Sequence, residues 1–263
     1  MITEPVYVGV DVGASRTKVA VLDASKNLVG YDVQKSGTDF MATARQCLER
    51  SLQMAGLNES AIANAVSTGY GRTNVSFARD TRTEIGCHAV GCYHYFPMAI
   101  TIIDIGGQDN KVIKLDEKGR RTSFKMNRKC AAGTGTFLEE MSARLGIPLE
   151  GMNYLATHST DMVKLGSFCT VFSATEVLEN IRRGKKIEDI VKGVFFSMIR
   201  RVLEMDSMTQ NVVMTGGVVA HNLYMVRMME EIIERSIQVP EKPQLTGAIG
   251  AALYAMGGSS ERD

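Results

Sequence analysis

The chain has no tryptophan and no apolar run of the roughly 18 residues that a membrane span needs, which leaves no candidate for a transmembrane helix. No basic tail or stripe is present. The formal net charge is +1, with both signs interspersed, and this excludes the electrostatic footprint of a nucleic-acid binder. Met1-Ile2-Thr3-Glu4-Pro5 is polar and leads straight into a strand, so no signal peptide is expected and the cytoplasm is the expected compartment. No G-x-x-x-x-G-K-[ST] loop occurs, so a phosphate site here is not of the Walker A kind. The five cysteines, Cys47, Cys87, Cys92, Cys130 and Cys169, are odd in number and include no C-x₂-C run, so a disulfide framework is not expected. Low-complexity segments and short tandem repeats are also missing. Sixteen methionines are unusual, and their expected role is to fill irregular core gaps. The 263 residues suffice for one large domain or two modest ones.

Along the chain one pattern occurs twice. Val6-Tyr7-Val8-Gly9-Val10-Asp11 reads as a buried strand ending on aspartate. Val12-Gly13-Ala14-Ser15 reads as a turn, residues 16–22 as a returning strand and 27–33 as a third. An amphipathic helix at 40–55 places Cys47 in a core. Residues 65–72, Ala-Val-Ser-Thr-Gly-Tyr-Gly-Arg, read as a strand ending in a glycine turn, and 82–95 as a helix. That helix holds Cys87, His88, Cys92 and His94. Their spacing matches no common zinc knuckle and their side chains point to different faces, so packing is expected for them. After Pro97 the pattern restarts. Ile100-Thr101-Ile102-Ile103-Asp104 is a buried strand, Ile105-Gly106-Gly107-Gln108-Asp109 a glycine turn, and 110–115 and 121–126 are two further strands. One Asp-x-Gly turn taken alone is equally an ordinary hairpin. Two of them, about ninety residues apart, imply a duplicated α/β unit with a phosphate loop from each half facing a shared cleft. The expected domains are residues 1–97 and 98–244, with a small-residue closing helix over 245–258 returning to the first.

In each turn glycine permits close backbone approach to a phosphate, and Ser15 and Thr17 add hydroxyls. Asp11 and Asp104 are placed to hold Mg²⁺ through water. Asn211-Val212-Val213-Met214-Thr215-Gly216-Gly217-Val218 is a strand running into a double glycine and then a helix over 219–235, a junction suited to an α-phosphate or adenosine. Between these features lies Asn127-Arg128-Lys129-Cys130-Ala131-Ala132-Gly133-Thr134-Gly135-Thr136. Thr136 and Glu139 fit a capping box, so a helix is expected from about 136 to 145, its free N–H groups and positive dipole end facing the Cys130 loop. Cys169 precedes a second helix, about 170–183, with the box Ser173 and Glu176; a third is expected at 187–207. Either setting stabilises a thiolate and an anion that the thiolate holds.

The order Asp-x-Gly-x-Ser-x-x-Lys (Asp11, Gly13, Ser15, Lys18), Asp-Ile-Gly-Gly-Gln-Asp (Asp104 to Asp109) and Thr-Gly-Gly resembles the duplicated ribonuclease-H-like ATPase fold of actin, hexokinases and heat-shock chaperones. With residues 67–72, the two cysteine stretches and Met214-Thr215-Gly216-Gly217, nearly the whole chain resembles one family. It comprises the activators of 2-hydroxyacyl-CoA dehydratases and the ATPase subunits of benzoyl-CoA reductases. The resemblance implies a homodimer, or a dimer of related subunits, bridged by one [4Fe–4S] cluster. ATP hydrolysis then drives a low-potential electron into a partner iron–sulfur dehydratase or reductase. A ferredoxin or flavodoxin is the implied donor.

The matching metal ligands are Cys130 and Cys169. Two chains would then supply the four thiolates such a cluster takes. A cluster within one chain, using Cys87 or Cys92 as well, is the competing arrangement. The implied nucleotide and Mg²⁺ contacts are Asp11, Gly13, Ala14, Ser15, Thr17, Lys18, Gly106, Gly107, Asp109, Gly133, Thr134, Gly216, Gly217 and Val218. By analogy with other ATPases, Asp104 or Gln108 orients the attacking water. A shift between ATP and ADP states is expected to move the helices that begin near Thr136 and Thr170. A sugar or acyl kinase of the same fold, or a chaperone-like ATPase, are the alternatives. Neither gives the two cysteine loops a role.

Overall fold

The computed structural model describes residues 5–127, 129–166, 169–209 and 211–257. Arg128, Ser167 and Phe168 of the cysteine stretches lie outside the described residues, as does the tail from 258. The chain divides into two compact units, Met1–Ala99 with Leu115–Thr122 and Leu245–Asp263, and Ile100–Lys114 with Ser123–Gln244.

The first unit begins with strands β1 (Val6–Val12), β2 (Arg16–Leu22) and β3 (Leu28–Lys35), then helix α1 (Phe40–Ala55), strands β4 (Ile62–Thr68) and β5 (Asp80–Thr81), and helix α2 (Glu84–Tyr95). Its sheet has the order β3-β2-β1-β4-β5. β1, β2 and β3 run antiparallel in succession, and β4 and β5 continue parallel to β1. The period of two along β2 decides what covers each face. Val19 and Val21 pack with Val8, Val10 and the Ala44, Cys47, Leu48 and Leu52 side of α1. Ala20 and Leu22 point the other way, onto Ala248, Ile249 and Ala252 of the closing helix. α1 starts where the Asp39 side chain accepts the Ala42 N–H at 2.9 Å and stops at Gly56, which takes the left-handed conformation.

The second unit holds, apart from Leu115 and the first two residues of β8, β6 (Ile100–Ile105), β7 (Asn110–Leu115), β8 (Arg121–Asn127), α3 (Gly135–Leu145), α4 (Met152–Thr157), α5 (Thr170–Arg182), α6 (Ile187–Leu203), β9 (Val212–Thr215), α7 (Gly217–His221), α8 (Leu223–Ile233) and β10 (Ile237–Gln238). Its sheet has the order β10-β9-β6-β7-β8. Read from the third strand of each unit, the two orders are identical, with β6 and β9 parallel as β1 and β4 are. The core is rich in methionine: Met141, Met152, Met198, Met214, Met225 and Met229 are fully buried in it. Packing is therefore the role of these methionines.

The helix expected over 219–235 is two helices. Asn222 breaks it with non-helical backbone, and its side-chain amide donates to the Val218 carbonyl at 2.8 Å. α4, β5 and β10 carry too few residues to show a period, and the sequence reading missed them. No described helix is long and apolar enough to cross a membrane.

The closing helix α9 (Thr246–Ala255) belongs to the first unit and is buried along its whole length. Its small residues are required by α2. A Cβ on Gly250 would lie 1.8 Å from the Cys87 carbonyl oxygen, against backbone that has nowhere to go. Gly250→Ala is therefore expected to destabilise the chain by about 2 kcal/mol or more, the scale of core overpacking. Urea unfolding measures this directly, and an unchanged midpoint would refute the packing described.

Candidate functional site

In the first unit, Asp11 stands at the end of β1 opposite Lys18 on β2, and the Lys18 ammonium donates to Asp11 Oδ2 at 2.8 Å. The turn after Asp11 is held from behind. Its Gly13 N–H donates to the Arg16 carbonyl at 3.0 Å, the Ser36 hydroxyl donates to the Gly13 carbonyl at 2.6 Å, and the Ser36 N–H donates to the Ser15 carbonyl at 3.1 Å. Thr17 is fully buried and shares a 2.9 Å hydrogen bond with the Ser36 hydroxyl. Its hydroxyl thus braces the turn, while Ala14 is the exposed residue at the tip. Gly69, directly after β4, has φ +90°. A Cβ there would lie 2.6 Å from Asp11 Oδ1 and 2.5 Å from the Val12 carbonyl, so only glycine fits. Asp11 Oδ1 itself is buried and has no hydrogen-bond donor. A buried carboxylate oxygen left open is costly unless something outside the chain fills it. A water on a bound Mg²⁺ is of the right chemistry.

The second unit repeats the aspartate, the lysine and the glycine of this arrangement. Asp104 ends β6, and Lys111, again seven residues on, donates to Asp104 Oδ2 at 3.0 Å. Gly216, directly after β9, has φ +102°, and a Cβ there would lie 2.8 Å from Asp104 Oδ1. Sequence reading found the paired Asp-x-Gly turns but not Lys111 or Gly69. The available signal was the lysine seven residues after each aspartate. In this unit Lys111 also reaches Asp109 Oδ1 at 2.8 Å, and Gly106 closes the turn by donating to the Asp109 carbonyl at 2.9 Å. Gln108 is exposed at the tip. Gly217 opens α7 with space around its Cα, and Val218 behind it packs toward Gly135.

The beginning of α3 corrects the expected capping box. The helix begins at Gly135, close to where it was expected, but Thr134 and not Thr136 is the N-cap, and Glu139 is exposed. The Thr136 hydroxyl donates to the Gly107 carbonyl at 2.8 Å. The Gly135 N–H donates to the Gly106 carbonyl at 2.9 Å and the Thr136 N–H to the Gly107 carbonyl at 2.8 Å. These two N–H groups are therefore not free to face the Cys130 loop. They fasten the helix to the turn at Gly106 and Gly107. The loop is tied in too: Asn110 of β7 donates to the Gly133 carbonyl at 2.9 Å, and the buried Thr134 hydroxyl donates to the Ala131 carbonyl at 2.6 Å.

Cys130 and Cys169 are exposed, whereas Cys47, Cys87 and Cys92 are buried. Burial pushes the Cys47 thiol far above its ordinary range. Cys169 is itself the N-cap of α5, and its carbonyl accepts the Ser173 N–H at 2.8 Å. Cys169, not Ser173, caps α5, and Ser173 lies inside the helix. Glu176 reaches back and accepts the Gly166 N–H at 2.6 Å. α3 and α5 share a groove lined by Thr136, Glu140, Thr170 and Ala174, and the exposed Val171 and Phe172 follow Cys169 directly. Among the described residues, no group of three or more His, Cys, Asp or Glu is gathered closely enough to hold a metal.

The model of the BadF/BadG/BcrA/BcrD ATPase family matches residues 8–255. The chain is 42% identical to an activator of lactoyl-CoA dehydratase from Anaerotignum propionicum, over 94% of this chain and 96% of that protein. Among solved structures it is similar to the activator of the 2-hydroxyisocaproyl-CoA dehydratase from Clostridium difficile with bound ADPNP. The TM-score is 0.90 at 41% identity, covering 96% of this chain and 94% of that one. Component A of the Acidaminococcus fermentans (R)-2-hydroxyglutaryl-CoA dehydratase gives a TM-score of 0.91 at 37% identity, covering 96% and 98%. A ROK family glucokinase from Streptomyces griseus, 11% identical over 96% of this chain and 100% of that one, shares the fold alone at a TM-score of 0.58.

Proposed function

Because the chain belongs to the BadF/BadG/BcrA/BcrD ATPase family, we propose that it hydrolyses ATP to drive a low-potential electron from a [4Fe–4S] cluster into a partner iron–sulfur enzyme. The partner is a 2-hydroxyacyl-CoA dehydratase, an aryl-CoA reductase or a related reductase. Its relatives that activate such dehydratases support the first of these. A ferredoxin or flavodoxin supplies the electron. The observation that carries the reading is the placement of the two exposed cysteines. Each stands at the entry to a helix, and one of those helices is fastened to a phosphate turn.

The donor chemistry fits a shared cluster. One chain offers Cys130 and Cys169 and, among the described residues, no third or fourth ligand beside them. A [4Fe–4S] cluster takes four thiolates, so two copies of the chain complete the set. When bound, the cluster supplies one-electron chemistry at low potential. Cys169 stands at the N-cap of α5, where the positive end of the helix dipole would favour the negative charge of a bound cluster.

On the nucleotide side, the turns at 13–15 and 106–108 bind phosphates through their backbone. Lys18 stands beside the first of these turns, and Gly216, Gly217 and Val218 meet the adenosine side. Asp11, with its open Oδ1, would hold a Mg²⁺-bound water, and Asp104 and Gln108 would orient the attacking water. The γ-phosphate alters the position of Gly106 and Gly107. The hydrogen bonds from Gly135 and Thr136 pass that alteration to α3 and to the Cys130 loop ahead of it.

Two sets of variants test the reading. Asp104→Asn is expected to lower ATP turnover at least about a hundredfold in a chain that still unfolds cooperatively in a thermal melt. Near-normal turnover would count against Asp104. Made and purified anaerobically, Cys130→Ser and Cys169→Ser should each lose the brown chromophore and the iron, about four per dimer, that the unaltered chain carries. Cys87→Ser and Cys92→Ser should keep both. A full iron complement in the Cys130 variant would remove the shared cluster.

A further inference from the structure

Lys111 has its side chain only 2% exposed, yet it carries an ammonium. That ammonium is enclosed by Asp104 Oδ2 at 3.0 Å and Asp109 Oδ1 at 2.8 Å. The Asp109 carboxylate lies over Gly106, where a Cβ would come within 2.7 Å of its Oδ1, and the Asp109 carbonyl closes the turn. One ammonium therefore pins the end of β6, the return of the turn and, through Gly106, the segment bonded to α3. The first unit differs here. Five residues after Asp11 stands Arg16, whereas five residues after Asp104 stands Asp109. The extra carboxylate makes the second turn the more acidic. Without Lys111, two carboxylates converging on one point would form the kind of oxygen donor set that hard divalent cations take. With it, a divalent cation about 5 Å from the ammonium, at an effective dielectric constant of about 20, is repelled by enough to lose well over tenfold in affinity.

We propose that Lys111 is the positioning residue of the second turn and the built-in counter-charge of Asp104 and Asp109. It keeps the two carboxylates in one arrangement and prevents them from collecting a divalent cation on their own. The metal then enters only as its nucleotide complex. The inference rests on the reading that residues 106–108 meet the nucleotide phosphates, and the test separates the two.

Mn²⁺ binding to the full chain without nucleotide is followed by electron paramagnetic resonance, beside steady-state ATP hydrolysis and a thermal melt. In Lys111→Met, Mn²⁺ affinity should rise at least about tenfold and kcat fall at least about tenfold. Adding Asp109→Asn should abolish the gained Mn²⁺ binding. Lys111→Arg, which keeps the charge, should leave Mn²⁺ binding as in the unaltered chain. Lys111→Gln, which loses the charge but still donates a hydrogen bond, replaces methionine if the melt shows that methionine prevents folding. A folded Met or Gln variant with unaltered Mn²⁺ affinity overturns the proposal. A gained Mn²⁺ site with unaltered hydrolysis keeps the counter-charge and removes the turn from the nucleotide reading instead.

Discussion

Three hydrogen bonds between the first turn of α3 and the carbonyls of Gly106 and Gly107 govern the arrangement of the second unit. A helix N-terminus normally leaves its first N–H groups to solvent, a capping side chain or a ligand. Here two of them are given to the turn that, on our reading, meets phosphate, and a threonine hydroxyl adds a third bond. At about 1 kcal/mol for each such bond, the fastening is worth about 3 kcal/mol. Coupling between sites typically falls in the range of about 1–3 kcal/mol. A modest reorientation of two carbonyls is thus of the right size to bias α3 and the Cys130 loop.

The duplication makes this easier to interpret. Both units share a strand order, an aspartate at the end of the central strand, a lysine seven residues later and a positive-φ glycine against that aspartate. They differ in what braces the turn. In the first unit Ser36, at the end of β3, bonds the Gly13 and Ser15 carbonyls and closes the turn on its own sheet. In the second, the equivalent role passes to α3, a helix that begins just beyond an exposed cysteine. The first turn is built to stay still. The second is connected to something else.

Much of this was legible in the sequence, because apolar strands ending on Asp-x-Gly are local signals. The same holds for α1, with its Asp39 cap and its terminal Gly56. The repeated turns pointed to a duplicated α/β unit, the resemblance of their motifs pointed to the actin-like fold, and the glucokinase likeness agrees with that fold. Local pattern reading failed where a side chain chose a distant partner. Thr136 bonds Gly107, 29 residues away, instead of forming a box with Glu139. Glu176 accepts from Gly166, ten residues back. The Lys111 cluster was hidden for a different reason. In a strand, lysine reads as a solvent-facing residue, and only the neighbouring strand reveals the carboxylate it is buried against. β5 and β10, two residues each, show no period at all.

The coupling between nucleotide and cysteine is tested most directly by the alkylation rate of Cys130 in the iron-free chain, with ADP and with ADPNP bound in turn. If the bonds to Gly106 and Gly107 carry the change, the two rates should differ several-fold, since the nucleotides must favour the two arrangements of α3 unequally. The difference should shrink in Thr136→Val, which removes the hydroxyl bond and keeps the shape. Equal Cys130 rates with both nucleotides in the unaltered chain would contradict the coupling.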